Sequence, residues 1–457
     1  MLYILLLILF GGITIFEIVI LVKKTGFFCL LMILLCTHAV TKGVSAAYLD
    51  TGIYNIELGH ITWNVFAGPG YFFYLSIFFF FINVFVSAAN KYIKENPPNF
   101  ENAIDKDIRI PILHFLGIAM VAYLALDMAV SGIPLFSSGA ITRFNFWSDY
   151  SRLPAAEVVS NFLTPVCVGL GFNQASNKIK AKDNKLEIVI VICVIAERLM
   201  LGYKVSGISD VIMGFIVGYF FRRHAASEQQ KKAFIKSIKY LSVVMVVLVM
   251  TYVGSQIVTG EYSSIPEALD GLVERQFTIS GHMEWAVFGD KEASGCLTIR
   301  DTRELLSPLQ GRDELDPDIG VYGLMQVYAP AATYYNYLEH GVRFGASFIT
   351  VSLFYNGILI TLLGIILNAF IYSMFYLVFR CLAFTNHILT FAILYRVYLI
   401  FGSYISTTGT LTSFYRLNTI AIIGICMLLW IAENDIAAGN YQKAKGVSRT
   451  LGGAREV

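Results

Sequence analysis

The sequence predicts an all-α polytopic membrane protein of about eleven transmembrane helices, amino-terminus outside and carboxy-terminus inside, with one large external loop. Three observations carry this. The 457 residues are 56% hydrophobic and only 14% charged, with a mean hydropathy of +0.64, where soluble domains run near 25% charged. Apolar stretches of roughly 20 residues recur, the length that crosses a bilayer at 1.5 Å per residue. Lysine and arginine gather in alternate connections, which sets the orientation.

The apolar runs fall near 2–22, 26–46, 64–88, 111–131, 154–172, 187–203, 208–221, 240–257, 357–379, 384–402 and 416–432. No base precedes the first run, while Lys23 and Lys24 follow it, the reverse of a signal peptide, so it reads as a retained helix. Stretch 344–380 admits one long helix, a re-entrant piece plus a helix, or two short spans, with a break expected at Asn356-Gly357. The basic connections are Lys23/Lys24, Lys91 to Arg109, Lys178 to Lys185, Arg222 to Lys239, Arg380 and the tail from Lys443. These face the cytoplasm, which leaves the loop 258–343 outside. The chain divides accordingly: 1–257, eight helices; 258–343, the loop; 344–432, three helices; 433–457, a cytoplasmic tail. Internal repeats are not evident.

The loop holds fourteen acidic and six basic residues. Ser263-Ser264, Pro266 and the stripe Leu269, Leu272, Val273 read as a capped amphipathic helix. A second helix runs from Ala331 to His340 and stops at Gly341. It carries Tyr334, Tyr335 and Tyr337, whose rings can stack on sugars or sit in an interfacial aromatic belt. The acidic turn 313–318 is no EF-hand: the twelfth position from Asp316 is Val327, not glutamate. Beyond its two expected helices the loop reads as polar and unable to build much core of its own, so it is expected to rest on the membrane helices.

Six of the seven cysteines lie in or beside apolar runs and read as small buried hydrophobes; Cys296 is alone in the loop. No Cys/His spacing suits a metal, no cofactor motif is present, and no basic stripe with interleaved aromatics suits nucleic acid. The bilayer itself is the expected environment.

Ionisable groups inside spans are costly and mark cavities or partners. Arg198 beside Glu197, then Lys204, Arg396, Arg416, Arg143 and Arg152 all fall in the outer half of the membrane or just beyond it. Such a group suits an anionic head group, because the guanidinium fork binds phosphate oxygens in pairs. Arg143, Arg198, Lys204, Arg275 and Arg396 are the candidate contacts to the phosphate of such a head group. Lys42 is expected to snorkel, and Asp127 and Glu17 to serve as structural partners. His282 and Glu284 are the external candidates for accepting a proton.

Gly132-Ile133-Pro134-Leu135-Phe136, followed by Arg143-Phe144, resembles the Gly-x-Pro-Leu-Phe turn and external arginine of the oligosaccharide repeat-unit polymerases of bacterial surface polysaccharides (Wzy type, O-antigen polymerases). Helix number and a single large late loop are similar too. The family's Gly-x-Arg step reads Gly202-Tyr203-Lys204 here, which keeps the charge and loses the fork. The resemblance implies a multi-pass bacterial inner-membrane protein with GT-C-like architecture and a periplasmic loop. It implies a metal-independent glycosyltransferase that moves a growing glycan from undecaprenyl diphosphate onto a lipid-linked repeat unit. A polysaccharide co-polymerase that regulates chain length is the implied protein partner. An O-antigen ligase acting on lipid A core, or a polysaccharide flippase, are the rival readings.

Overall fold

The computed structural model describes residues 1–52, 58, 66–97, 109–137, 141, 145–179, 185–203, 205–224, 250, 253–254, 257, 262–313 and 315–452. Among them all regular structure is helical. The bundle comprises α1 (Leu2–Thr25), α2 (Leu30–Leu49), α3 (Ala67–Glu95), α4 (Arg109–Ser131), α5 (Ala156–Ile179), α6 (Leu186–Met200) and α7 (Val205–His224). The loop contributes α8 (Ile265–Glu274), α9 (His282–Gly289), α10 (Gly320–Tyr328) and α11 (Ala331–Glu339). Then come α12 (Phe348–Phe384), α13 (Ile388–Ser403) and α14 (Leu417–Gly452).

Six helices of the described residues are long and apolar enough to cross a membrane: Leu2–Ile33, Ala67–Glu95, Arg109–Phe136, Phe348–Phe384, Ile388–Thr408 and Leu411–Asp435. The chain is therefore an all-α membrane protein, but eleven such spans are not found among the described residues. The physical reason lies in the remaining bundle helices. α6 has only 15 residues, about 22 Å at 1.5 Å per residue, and α2 carries Thr37, His38, Thr41 and Lys42 in mid-course. Most of the run 240–257 falls outside the described residues.

Helix α5 packs chiefly against α7. A Cβ on Gly171 would stand 2.0 Å from the Phe215 carbonyl oxygen, and one on Gly218 2.0 Å from that of Val168, so glycine lets the two backbones touch. At the end of the bundle carrying the tail, Glu433 of α14 caps α13. Its carboxylate accepts from the Thr390 amide (3.0 Å) and hydroxyl (2.7 Å), and pairs with Arg109 at 3.0 Å. That fixes α13 from below. Asp127 accepts from the Arg152 and Leu153 amides, both at 3.0 Å, and Glu17 from Asn83, structural roles as expected.

The loop is docked rather than free. Ser264 and Glu267 cap the start of α8: the Glu267 amide donates to Ser264 Oγ at 3.4 Å, and the Glu267 carboxylate accepts from the Ser263 amide and hydroxyl. Helix α9 lies against α2, α3 and α12, and a Cβ on Gly281 would meet the Lys42 carbonyl at 2.4 Å.

The decisive element is α12, broken where the sequence suggested. Gly357 adopts φ 70°, ψ −177°, and the chain reverses there. The Thr361 hydroxyl reaches Ser352 Oγ at 3.0 Å, and the Phe348 ring lies 3.9 Å from where a Gly364 Cβ would stand. Residues nine and sixteen apart would be about 13 and 24 Å apart along a straight helix. Residues 348–356 thus form a re-entrant half-helix folded back on the long span. Loop residues fill the break. Ile358 and Leu359 amides donate to the Cys296 and Leu297 carbonyls, and Arg300 and Asp301 amides donate to the Tyr355 carbonyl. The Ile358 and Leu359 amides and the Tyr355 carbonyl, freed by the turn, are thereby paired.

Candidate functional site

At the loop-facing end of the bundle a cavity of about 410 Å³ opens, lined by Arg343, Arg396, Arg416, Asp210, His38 and a row of hydroxyls. Its size lies in the range of small-molecule sites. Helix α13 supplies Arg396 and then loosens into a π-turn, Tyr404–Thr408, ended by Gly409 at φ 62°. A Cβ there would strike Val351 at 2.4 Å, so glycine lets this turn rest on the re-entrant half-helix. The short helix Leu411–Phe414 follows, and Arg416 stands just before α14.

The hydroxyls of Ser406 and Thr407 donate to the carbonyls of Gly402 (2.7 Å) and Ser403 (2.9 Å). Their protons are spent on the backbone, so what they offer the cavity is oxygen lone pairs that accept from a ligand's hydroxyls.

Arg343 arrives by an extended strap, residues 342–347, between α11 and α12. The Val342 carbonyl accepts from Tyr322 (3.0 Å), and that of Gly345 from Lys42 Nζ (2.9 Å). The Ala346 amide donates to the Thr407 carbonyl (2.9 Å), and the Ser347 amide to Glu284 (2.8 Å). Irregular backbone running past a polar cavity in a membrane bundle is tolerated when its polar groups are held in this way.

Electrostatically the cavity is cationic. Its lining carries three arginines and one aspartate, a net charge of two positive. Arg396 sits in the field of Arg416 and Arg198 as well as of Asp210.

The candidate residues separate into three groups. Arg396 lines the cavity. Arg198 is buried behind it: its Nη1 donates to Ser160 Oγ at 2.7 Å, and its guanidinium lies 4.9 Å over the Tyr203 ring. It adds charge without lining the cavity. Arg143, Lys204 and the side chain of Arg275 lie outside the described residues.

The third group is drawn inward. Glu284 is fully buried and pairs with Lys42 Nζ at 2.9 Å, so Lys42 holds an ion pair and does not snorkel. His282 is buried with its ring 4.3 Å from that of Phe344, and its Nδ1 meets the Ile279 carbonyl. Burial pushes it down to about 3, so it stays neutral. Neither residue lines the cavity. The α11 tyrosines are likewise apart from it. Tyr334 is buried, Tyr337 packs edge-on against Phe344, and Tyr335 is exposed.

Arg343 and Asp210 escape sequence reasoning. Arg343 closes a polar loop, where an arginine is unremarkable until the strap carries it back toward the bundle. Asp210 is one acid in an otherwise apolar helix, and that was the available signal.

Residues 315–423 match the model of a family of unknown function, DUF6418. No curated protein and no solved structure matches the chain. The matched segment contains the strap, the re-entrant half-helix and all three cavity arginines.

Proposed function

We propose that this protein polymerises undecaprenyl-diphosphate-linked oligosaccharide repeat units at the outer face of the bacterial inner membrane. The observation that carries the reading is the cavity that gathers Arg343, Arg396 and Arg416 at the loop-facing end of the bundle. A diphosphate esterified at both ends, to a prenol and to a sugar, carries two negative charges with nothing left to titrate. That matches the net charge of the lining.

The chemistry follows from the leaving group. An acceptor hydroxyl attacks the anomeric carbon of the growing glycan, and the bond from that carbon to the diphosphate oxygen breaks. The electron pair leaves on the diphosphate. The transition state has oxocarbenium character, as in other glycosyl transfer. Guanidinium groups already in place stabilise the charge that develops on the departing diphosphate. Asp210, the carboxylate in the cavity wall, is suited to accept the acceptor's proton. The Ser406 and Thr407 oxygens accept from sugar hydroxyls. A GT-C-like architecture and a chain-length-regulating co-polymerase belong to this reading as well.

One observation favours a second reading. A broken helix beside a charged cavity is also how secondary transporters hold anionic substrates, so a flippase for the same lipid-linked glycan is the alternative. One reconstitution separates them. Purified protein in liposomes, given a lipid-linked repeat unit alone, is expected to produce a ladder of longer lipid-linked glycans. Movement of the unmodified unit across the bilayer without a ladder would overturn polymerisation. Activity only when lipid A core is added would assign the protein as a ligase.

A further inference from the structure

We infer that the buried Lys42–Glu284 ion pair is a positioning device: it fixes the 342–347 strap, and with it Arg343, against the cavity. Its role in ligand binding rests on the diphosphate reading above, but the clamp itself does not.

Two charges are buried together, Lys42 on α2 and Glu284 on α9, with side chains 4% and 0% exposed. For stability alone, an apolar pair of similar volume would do as well or better. What this pair achieves instead is visible in its remaining bonds. Lys42 Nζ donates both to Glu284 and to the Gly345 carbonyl, each at 2.9 Å. The same Glu284 oxygen accepts the Ser347 amide at 2.8 Å. The pair therefore grips the strap on both sides of Ala346, once by a carbonyl and once by an amide. Ala346 itself donates to the carbonyl of Thr407, which lines the cavity.

The three elements that meet here are distant in sequence: α2, the loop helix α9, and the start of the re-entrant half-helix. None of them alone sets where Arg343 stands. Glu284 is anchored in turn. Gly281, three residues earlier, donates its amide to Ser45 of α2 at 2.9 Å, which holds the first turn of α9 in register with Lys42. The upstream end of the strap is tied separately, by Tyr322 on the Val342 carbonyl. Arg343 thus lies between two fixed points, and the Lys42–Glu284 pair couples it to α2 and α9 beside the Ala346–Thr407 bond to the cavity wall.

Removing one partner strands a buried charge and threatens folding, so the test replaces both, as K42M/E284L, which keeps the volume and removes the charges. A double-mutant cycle with R343A then reads the coupling. The probe is undecaprenyl diphosphate, bound by full-length protein in nanodiscs. R343A is expected to weaken binding about tenfold in the native background, the weight of one charge-assisted contact, and less than about twofold in K42M/E284L. An equal loss in both backgrounds overturns the inference, because a pair that only stabilises the fold leaves the value of Arg343 unchanged. Amide hydrogen exchange gives an arm that needs no ligand. Protection of residues 343–347 is expected to fall in K42M/E284L while α13 stays protected. Retained protection of the strap overturns the clamp. Native protein that fails to bind the probe overturns the diphosphate reading instead, and the exchange result then decides the clamp by itself.

Discussion

Replacing Gly357 by alanine perturbs the one backbone position on which the re-entrant geometry turns. Its φ of 70° with ψ of −177° is essentially glycine-only, and a side chain held there costs about 1–3 kcal/mol. The new Cβ would also stand 2.3 Å from the Thr298 carbonyl and 2.8 Å from that of Cys296. Both carbonyls belong to backbone, so the 296–301 segment must move. Moving it breaks the bonds from the Ile358 and Leu359 amides, each worth about 1 kcal/mol net. The expected total is about 3–5 kcal/mol. Unfolding in mixed detergent micelles measures it, with Gly424→Ala as the control. Gly424 lies within α14 with nothing near its absent side chain, so alanine there should change stability by no more than about 1 kcal/mol, and in the favourable direction. If Gly357→Ala unfolds within about 1 kcal/mol of the native protein, the chain does not reverse at Gly357 as argued.

Three further outcomes follow from the site. Arg396→Lys should weaken diphosphate binding by about tenfold or more while leaving the unfolding midpoint in place, because the charge stays and the fork is lost; undiminished affinity would refute a bidentate contact. Glu304 is buried in the loop, accepting the Gly320 and Leu411 amides, and burial raises it to about 7. Its folded value lies above its unfolded one, so the stability it contributes is complete below about pH 4.5 and is lost as pH rises through 7, by up to about 3 kcal/mol. Glu304→Gln should remove that slope from unfolding curves taken between pH 4.5 and 8. His282 has the opposite sign: its depressed value gives stability above pH 6.5 that drains as pH falls towards 3, and His282→Gln should flatten that acid limb while glycan extension continues. Lost extension in a variant that folds and binds normally would return His282 to the chemistry.

Features that depend on local physics were legible in the sequence. The Asn356-Gly357 break, the capped start of α8 at Ser263-Ser264, and the end of the tyrosine helix before Gly341 all follow from glycine freedom and cap chemistry within a few residues. Arg396 was legible for a related reason, since an arginine in an apolar run is costly wherever it stands. What could not be read depends on contacts between distant elements. Lys42 and Glu284 are 242 positions apart, and nothing near either residue shows that one will neutralise the other. Lys42 therefore resembled a snorkelling lysine and Glu284 an exposed loop acid. Arg343 was lost in the same way: the loop was divided from the membrane helices at residues 343 and 344, in the middle of the strap that joins them. Counting apolar runs also gave more candidate spans than the six described helices that are long and apolar enough, because helices such as α2 and α6 draw stability from packing inside the bundle and need not be long and apolar.

On the proposed function, the cavity lined by Arg343, Arg396 and Arg416 seats a lipid-linked diphosphate. The most direct measurement compares binding of undecaprenyl diphosphate and undecaprenyl monophosphate to the full-length protein in nanodiscs, native and with all three arginines changed to alanine. Native protein should bind the diphosphate at least about tenfold more tightly, the weight of the additional charge-assisted contacts, and the triple variant should lose that preference while still folding. Equal affinity for the two lipids, or a preference that survives loss of all three arginines, would contradict the account.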